Sequence, residues 1–448
     1  MNLAERIRTD ELLSRVVRNS AHLFSSNAAG LGLSVLQGIL AARMLGPAGF
    51  GLVGIVMSYA STVNGILSFR MGELVVRYGG GYLAQGDNRK AAALIKFAAL
   101  AEAAVSLIAF VAVALTAGLA ARFAAKTPGI EWMFVLFSVG LLCNFNAETA
   151  TGVLQITNKI KTRGSLNFIQ ALLSAAIIAA VFTWNANVGV DAQTALLLVL
   201  AAYLLGKVVL GLGLFVAGLA ELNRLLGRGW GTASIAALPS MRELLGFALS
   251  SNLSATAILV FRESEVLWVG FLLNSEAAGL YKVAYTIVSL LSVPADPLIL
   301  SVYPEANRLV VQNAWKRLKD FLKRITALAF LYNLVLAVGF IVLARWLLAI
   351  FGAQYIVAVP AIAALVVGLA FNYTLFWNRS LLLSLGLQNF ALGAIVFAGI
   401  IKVALAVPLV PRYGYVMEAV LLSAYYVISV GLIAWRGVRE LNVRLVRS

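Results

Sequence analysis

The chain of 448 residues contains one cysteine, one histidine, nine prolines and only 19 acidic side chains. A lone Cys143 cannot close an internal disulfide, and a lone His22 cannot build a multi-histidine metal site. Charged residues make up 12 % of the sequence, against roughly 25 % in soluble domains, which is too few to clothe a water-facing surface of this size. With 61 % hydrophobic residues and a mean hydropathy of +0.92, the chain reads as an all-α polytopic membrane protein. A disordered chain, a disulfide-stapled scaffold and a cytosolic enzyme with a small anchor are excluded. No loop is long enough to fold as a catalytic domain, and no enzyme activity is expected.

What the sequence has in quantity is long apolar runs and positive charge. A helix crosses the hydrocarbon with about 20 apolar residues. Twelve segments meet this length, at 20–44, 50–73, 92–120, 131–155, 165–186, 193–220, 245–273, 278–304, 324–350, 356–383, 387–410 and 413–435. The formal charge of +16 would suggest nucleic acid in a soluble protein, but here the cations sit between apolar runs. Alternating the loops puts 23 Lys and Arg on the side of both termini and six on the other, which predicts cytoplasmic termini. Residues 1–18 read as a cytoplasmic amphipathic segment and 438–448 as a basic tail. The Gly-, Ser- and Pro-containing stretch 221–244 reads as a linker between two six-helix lobes, 19–220 and 245–437. Trp315, Leu318, Leu322 and Ile325 share one helical face ringed by cations, the pattern of an interfacial helix.

Two motifs carry a family resemblance. Residues 41–52, Ala-Ala-Arg-Met-Leu-Gly-Pro-Ala-Gly-Phe-Gly-Leu, join the first two apolar runs. Residues 265–281, EVLWVGFLLNSEAAGLY, join the seventh and eighth, and Tyr303-Pro304 closes the eighth. The chain resembles the polysaccharide transporters, the oligosaccharide-lipid flippases of the multidrug/oligosaccharidyl-lipid/polysaccharide (MOP) superfamily. In place of the family's usual Asp stands Glu265, with Glu263 beside it. The resemblance implies a MOP/MATE-like fold of about 12 helices in two lobes in a bacterial or archaeal plasma (inner) membrane. It also implies transport of a lipid-linked oligosaccharide diphosphate by alternating access, and contact with other polysaccharide-assembly proteins. A cation-coupled multidrug exporter of the same superfamily is the alternative, followed by a membrane-embedded polysaccharide polymerase or ligase.

Ionisable residues at depth cost roughly 2.5–3.5 kcal/mol each near a helix centre, so each needs a partner or a polar cavity. Arg262 falls near the middle of the seventh run, and Arg70 and Arg379 in the cytoplasmic third of the second and tenth. A guanidinium stays charged and offers a planar fork to phosphate oxygens, which makes these three the leading substrate contacts. Lys207 and Lys402 lie deep in the sixth and eleventh runs, and Asn27 and Gln37 add weaker polar marks on the first. Among the acids, Glu265, Glu263, Glu148 and Asp296 are candidates for a coupling ion, H+ or Na+, with no other cofactor expected. Asp296 lies in Pro294-Ala-Asp-Pro297, where a kink is expected because proline removes a backbone donor. Anionic membrane lipids are expected at the basic loops, and nucleic acid is not.

Overall fold

Apolar runs of this length leave the backbone no water to bond, so each closes its hydrogen bonds internally as a helix. The structure is a computed structural model describing residues 11–238, 244, 246, 252 and 255–447, with the backbone alone for 11–29, 237, 296, 297, 300, 301 and 447. In chain order the helices are α1 (Glu11–Leu67), α2 (Met71–Leu74), α3 (Gly80–Ala84), α4 (Asn88–Leu119), α5 (Glu131–Cys143), α6 (Ala147–Ile156), α7 (Ile160–Val188) and α8 (Ala192–Leu226). They continue as α9 (Glu265–Leu272), α10 (Ser275–Ser289), α11 (Ser292–Val311), α12 (Trp315–Phe351), α13 (Val359–Thr374), α14 (Asn378–Ser384), α15 (Gln388–Tyr413) and α16 (Tyr415–Arg447). There is no strand among the described residues.

Ten helical segments among the described residues are long and apolar enough to cross a membrane. The expected count of twelve differs for two local reasons. The first two runs join end to end in α1, and the described part of the seventh, 245–273, breaks at Ser264 between the turn Leu259–Glu263 and the eight-residue α9. The join has its own chemistry. Gly46 sits at φ 65°, ψ 178°, a region that a Cβ disfavours, and Pro47 follows where a new helix needs no N–H. The Leu45-Gly46-Pro47 motif is therefore a helix stop followed by a helix start. Gly46→Ala should cost about 1–3 kcal/mol, read as a lower melting temperature in detergent; an unchanged melt would show that the backbone is not strained there.

The chain divides into two compact units, one of Leu33–Glu276 and one of Ala277–Ser448 with the described residues before Leu33. In the first, α8 runs on to Leu226, and Trp230, Ala233, Ile235 and Leu238 pack on a core of Met71, Leu74, Leu94 and Val153. Lys96 secures this segment by donating to the Ala233 carbonyl at 3.3 Å. Much of the stretch expected as a linker is thus part of the first unit's core.

In the second unit, Trp315, Leu318, Leu322 and Ile325 are buried in a cluster with Phe376, Trp377 and Leu441. Their face packs on protein, where the sequence pattern suggested a helix lying on lipid. The expected kink in the eighth run is present as a break at Leu290–Leu291 between α10 and α11. Pro294 removes the donor that would reach Leu290, and that carbonyl accepts from Val293 instead, at 3.2 Å.

The order of elements recurs in the two units. α5, a three-residue break at 144–146, α6, a connector with Asn158 at φ 59° and then α7 match α13, a break at 375–377, α14, a connector with Gly386 at φ 77° and then α15. Gly189 and Gly414, both left-handed, then lead into α8 and α16. Outside the breaks, Asp87 and Asp191 cap α4 and α8. Hydrogen bonds from Lys90 and Thr194 hold both carboxyls below the usual carboxylate range, so the caps weaken only as pH falls through those lowered values. Leu115 is 79 % exposed and many other large apolar side chains are uncovered, as a lipid-facing surface requires.

Candidate functional site

Interrupted helices position a polar cavity in the first unit. α1 ends at Leu67, and Arg70 turns the chain into α2 from a left-handed conformation at φ 52°, ψ 46°. α5 ends at Cys143, and Asn144–Asn146 separate it from α6. The two restarted helices touch backbone to backbone: a Cβ on Gly72 would lie 2.7 Å from the Glu148 carbonyl oxygen, and one on Gly152 would lie 2.8 Å from that of Gly72. A larger residue at either position would drive α2 and α6 apart. The N-terminus of α6 is capped from another helix. Both carboxylate oxygens of Glu102 on α4 accept backbone N–H groups, those of Glu148 and Thr149, at 2.8 Å each. These are donors that a helix start leaves unsatisfied, and a carboxylate there also suits the helix dipole.

Between these elements lies a cavity of about 380 Å³ lined by Arg70, Glu73, Asn144, Glu148, Gln155, Arg163 and Asn167. Arg70 pairs with Glu73 at 3.6 Å with both side chains about half exposed, a geometry that leaves donors of the guanidinium available to a ligand. Arg163, one turn into α7, brings a second guanidinium to the same space, and Glu148 lies in the field of both cations. Asn144 turns its amide inward to the Gly140 and Lys207 carbonyls at 2.7 and 3.2 Å, which satisfies the frayed end of α5. Chemically the cavity offers planar cationic donors for phosphate or carboxylate oxygens, together with carboxylates and amides for hydroxyl groups.

Of the residues singled out from sequence, the cavity collects Arg70 and Glu148. Lys207 is on α8, which lines the cavity through Leu210 and Leu214, but its ammonium turns to the Phe137 ring, 5.0 Å from the centroid. Gln37 donates to the Ala171 carbonyl at 2.7 Å and is 4 % exposed, so it ties α1 to α7. Arg262 and Glu263 belong to a π-helical turn, Leu259–Glu263, where Arg262 is half-buried and Glu263 exposed. That wide turn frees the Val260 carbonyl, which accepts from Ser264 Oγ at 2.8 Å and from the Trp268 indole at 3.1 Å. Glu265 opens α9 and is buried. Beside the turn is an apolar cavity of about 380 Å³ lined by Tyr59, Thr62, Phe123, Val260, Trp268 and Phe271.

In the second unit Arg379 is exposed near the start of α14. Lys402, expected as a substrate contact, is 2 % exposed and ion-paired to Glu418 at 2.9 Å, a placement that makes it a strut between α15 and α16. The side chains of Asn27 and Asp296 lie outside the described residues. Three residues that the sequence reading did not single out have defined places: Arg163 lines the cavity, Glu102 caps α6, and Lys282 lies within α10.

The chain matches known proteins at three levels. Residues 16–310 match the family model described as polysaccharide biosynthesis protein. The inner membrane protein YghQ of Escherichia coli (strain K12) is 26 % identical over 309 residues, 67 % of this chain and 82 % of that protein. An inward-facing multidrug resistance MATE family transporter of the MOP superfamily superposes with a TM-score of 0.70 at 15 % identity, covering 93 % of this chain and 96 % of that one. A MOP superfamily transporter from Pyrococcus furiosus, described as having a binding pocket of reverse polarity, superposes at 0.62 and 14 % identity, covering 97 % and 95 %. The structural matches establish a MOP-type helical fold.

Proposed function

The chain belongs to the polysaccharide biosynthesis protein family, and from that membership we propose that it is a flippase for lipid-linked oligosaccharide diphosphates in a bacterial or archaeal inner membrane. The observation that carries this reading is the cavity at the restarted ends of the second and fourth apolar runs, where Arg70 and Arg163 converge with Asn144, Gln155 and Asn167. Two guanidinium groups match the fork geometry of diphosphate oxygens, and the amides match sugar hydroxyls. The apolar cavity beside Trp268 offers carbon surface to the lipid tail. Alternating access would carry the headgroup across, with both termini cytoplasmic and other polysaccharide-assembly proteins supplying and consuming the substrate.

The acids Glu73 and Glu148 in the same cavity support coupling to H+ or Na+, and they are also what a cation-exporting relative would use. Charge removal separates the two. Arg70→Gln with Arg163→Gln should cut surface polysaccharide by about tenfold or more, since hydrogen bonds between charged partners are worth roughly 1.5–3 kcal/mol each. Membrane abundance of the variant, followed by immunoblot, should stay at the wild-type level. Normal polymer from the double variant would remove the arginines from substrate binding, and loss of resistance to organic cations on Glu148→Gln would favour the exporter.

A further inference from the structure

Outside that cavity, the second unit carries two adjoining hollows at one end of α12 and α16. One, of about 790 Å³, is lined by Leu375, Trp377, Trp435, Val438, Arg439 and Val443. The other, of about 460 Å³, shares Trp377 and Val438 with it and adds Lys319, Lys323, Thr326 and Phe330. Both fall in the range of ligand sites, roughly 300–1,000 Å³.

Their walls are carbon, and their charged groups are all cations. Glu440, the nearest acid in sequence on α16, is taken by Arg436 at 3.5 Å and Arg444 at 3.1 Å. Lys319, Lys323 and Arg439 are not ion-paired among the described residues; Lys319 uses one of its three donors on Asn442 Oδ1 at 2.8 Å, and Arg439 stacks 5.4 Å from the Trp435 ring centroid. Trp435 is 54 % exposed and Val446 88 % exposed, so the groove opens outward and is not filled by the described residues. Trp377 is held rigid as the dividing wall by its indole hydrogen bond to Thr326 Oγ1 at 2.7 Å.

Placement selects the occupant. α12 has 37 residues and α16 has 33, so at 1.5 Å per residue each is about 50 Å long or more against a hydrocarbon core of roughly 30 Å. The groove sits where both helices pass from apolar sequence into their cationic ends, with an uncovered tryptophan at the boundary. That is the level of lipid headgroups, with carbon below and phosphate above. We infer that this groove is a binding site for an anionic phospholipid, its acyl chain along Trp377, Val438 and Trp435 and its phosphate on Lys319, Lys323 and Arg439. The site is separate from the substrate cavity and does not depend on what that cavity carries.

Native mass spectrometry of the full chain in mild detergent, titrated with phosphatidylglycerol or phosphatidylcholine of equal chain length, tests this. Phosphatidylglycerol should be retained in preference. Lys323→Gln with Arg439→Gln should lower its retention about thirtyfold, roughly fivefold for each charge, while Lys323→Arg with Arg439→Lys should preserve it. The variants change exposed side chains, and an unaltered melting temperature confirms that they fold. Equal retention of the two lipids, or phosphatidylglycerol binding indifferent to Lys323→Gln/Arg439→Gln, overturns the site. So does a dimer that dissociates on Trp435→Ala, which would make a second copy the occupant, or preferential capture of a polyprenyl diphosphate over phosphatidylglycerol.

Discussion

Lys402→Met alone should lower the stability of the protein by about 3–5 kcal/mol, the range for stripping one partner from a buried ion pair. The pair is completely enclosed: side-chain exposure is 1 % for Lys402 and 0 % for Glu418, and the ammonium and carboxylate are 2.9 Å apart. Lys402 faces Glu418 Oε1 and no donor among the described residues reaches Oε2, so without Lys402 a carboxylate is left buried with nothing to balance it. The double variant Lys402→Met/Glu418→Leu should recover most of the loss, because two apolar side chains of similar volume need no compensation in that interior. Unfolding midpoints of the four proteins in mixed micelles give the coupling energy directly. Two single variants that unfold like the wild type, or a double variant no better than the worse single one, would show that the pair is not the strut between α15 and α16.

That pair also illustrates what could be read from the amino-acid sequence. The apolar runs, their number to within two and the positions of the helix-breaking Gly46 and Pro294 follow from composition and local backbone chemistry. Lys402 was legible as a buried cation, but its partner was not. Counting outward from the Gly414 turn sets Lys402 opposite Tyr426, a register that straight helices would obey and a helix carrying Pro408 and Pro411 need not. Arg163 was hidden for a different reason. A cation just inside a helix looks like a topology signal, and only its spacing of four from Asn167 hints at a shared face. The breaks at 68–70, 144–146 and 375–377 have no proline or glycine. They depend on partners distant in sequence, among them the Gly72–Gly152 approach, which no local pattern announces.

The clearest case is Glu102, and removing its carboxylate should produce the largest effect on the cavity itself. Glu102→Ala leaves the Glu148 and Thr149 N–H groups without acceptors in a site where Glu102 is 9 % exposed. At about 1–3 kcal/mol for each buried unsatisfied donor, the expected loss is about 3 kcal/mol. Glu102→Gln keeps one acceptor oxygen but presents an amide donor to the other N–H and gives up the favourable charge at the helix start, so it should lose about half as much. The damage should be local before it is global, because α6 is short and carries Glu148, Thr151, Gly152 and Gln155 of the cavity wall. With the sole cysteine replaced by Cys143→Ala, a Gln155→Cys probe should therefore react with aqueous maleimide at a different rate once Glu102→Ala is added, at temperatures well below the melt. Unaltered labelling together with an unaltered melting temperature would mean that α6 starts without its cap. A changed labelling rate with polysaccharide export lost in parallel would tie the cap on α4 to the arrangement of Arg70, Arg163 and Glu148 proposed above to receive the substrate.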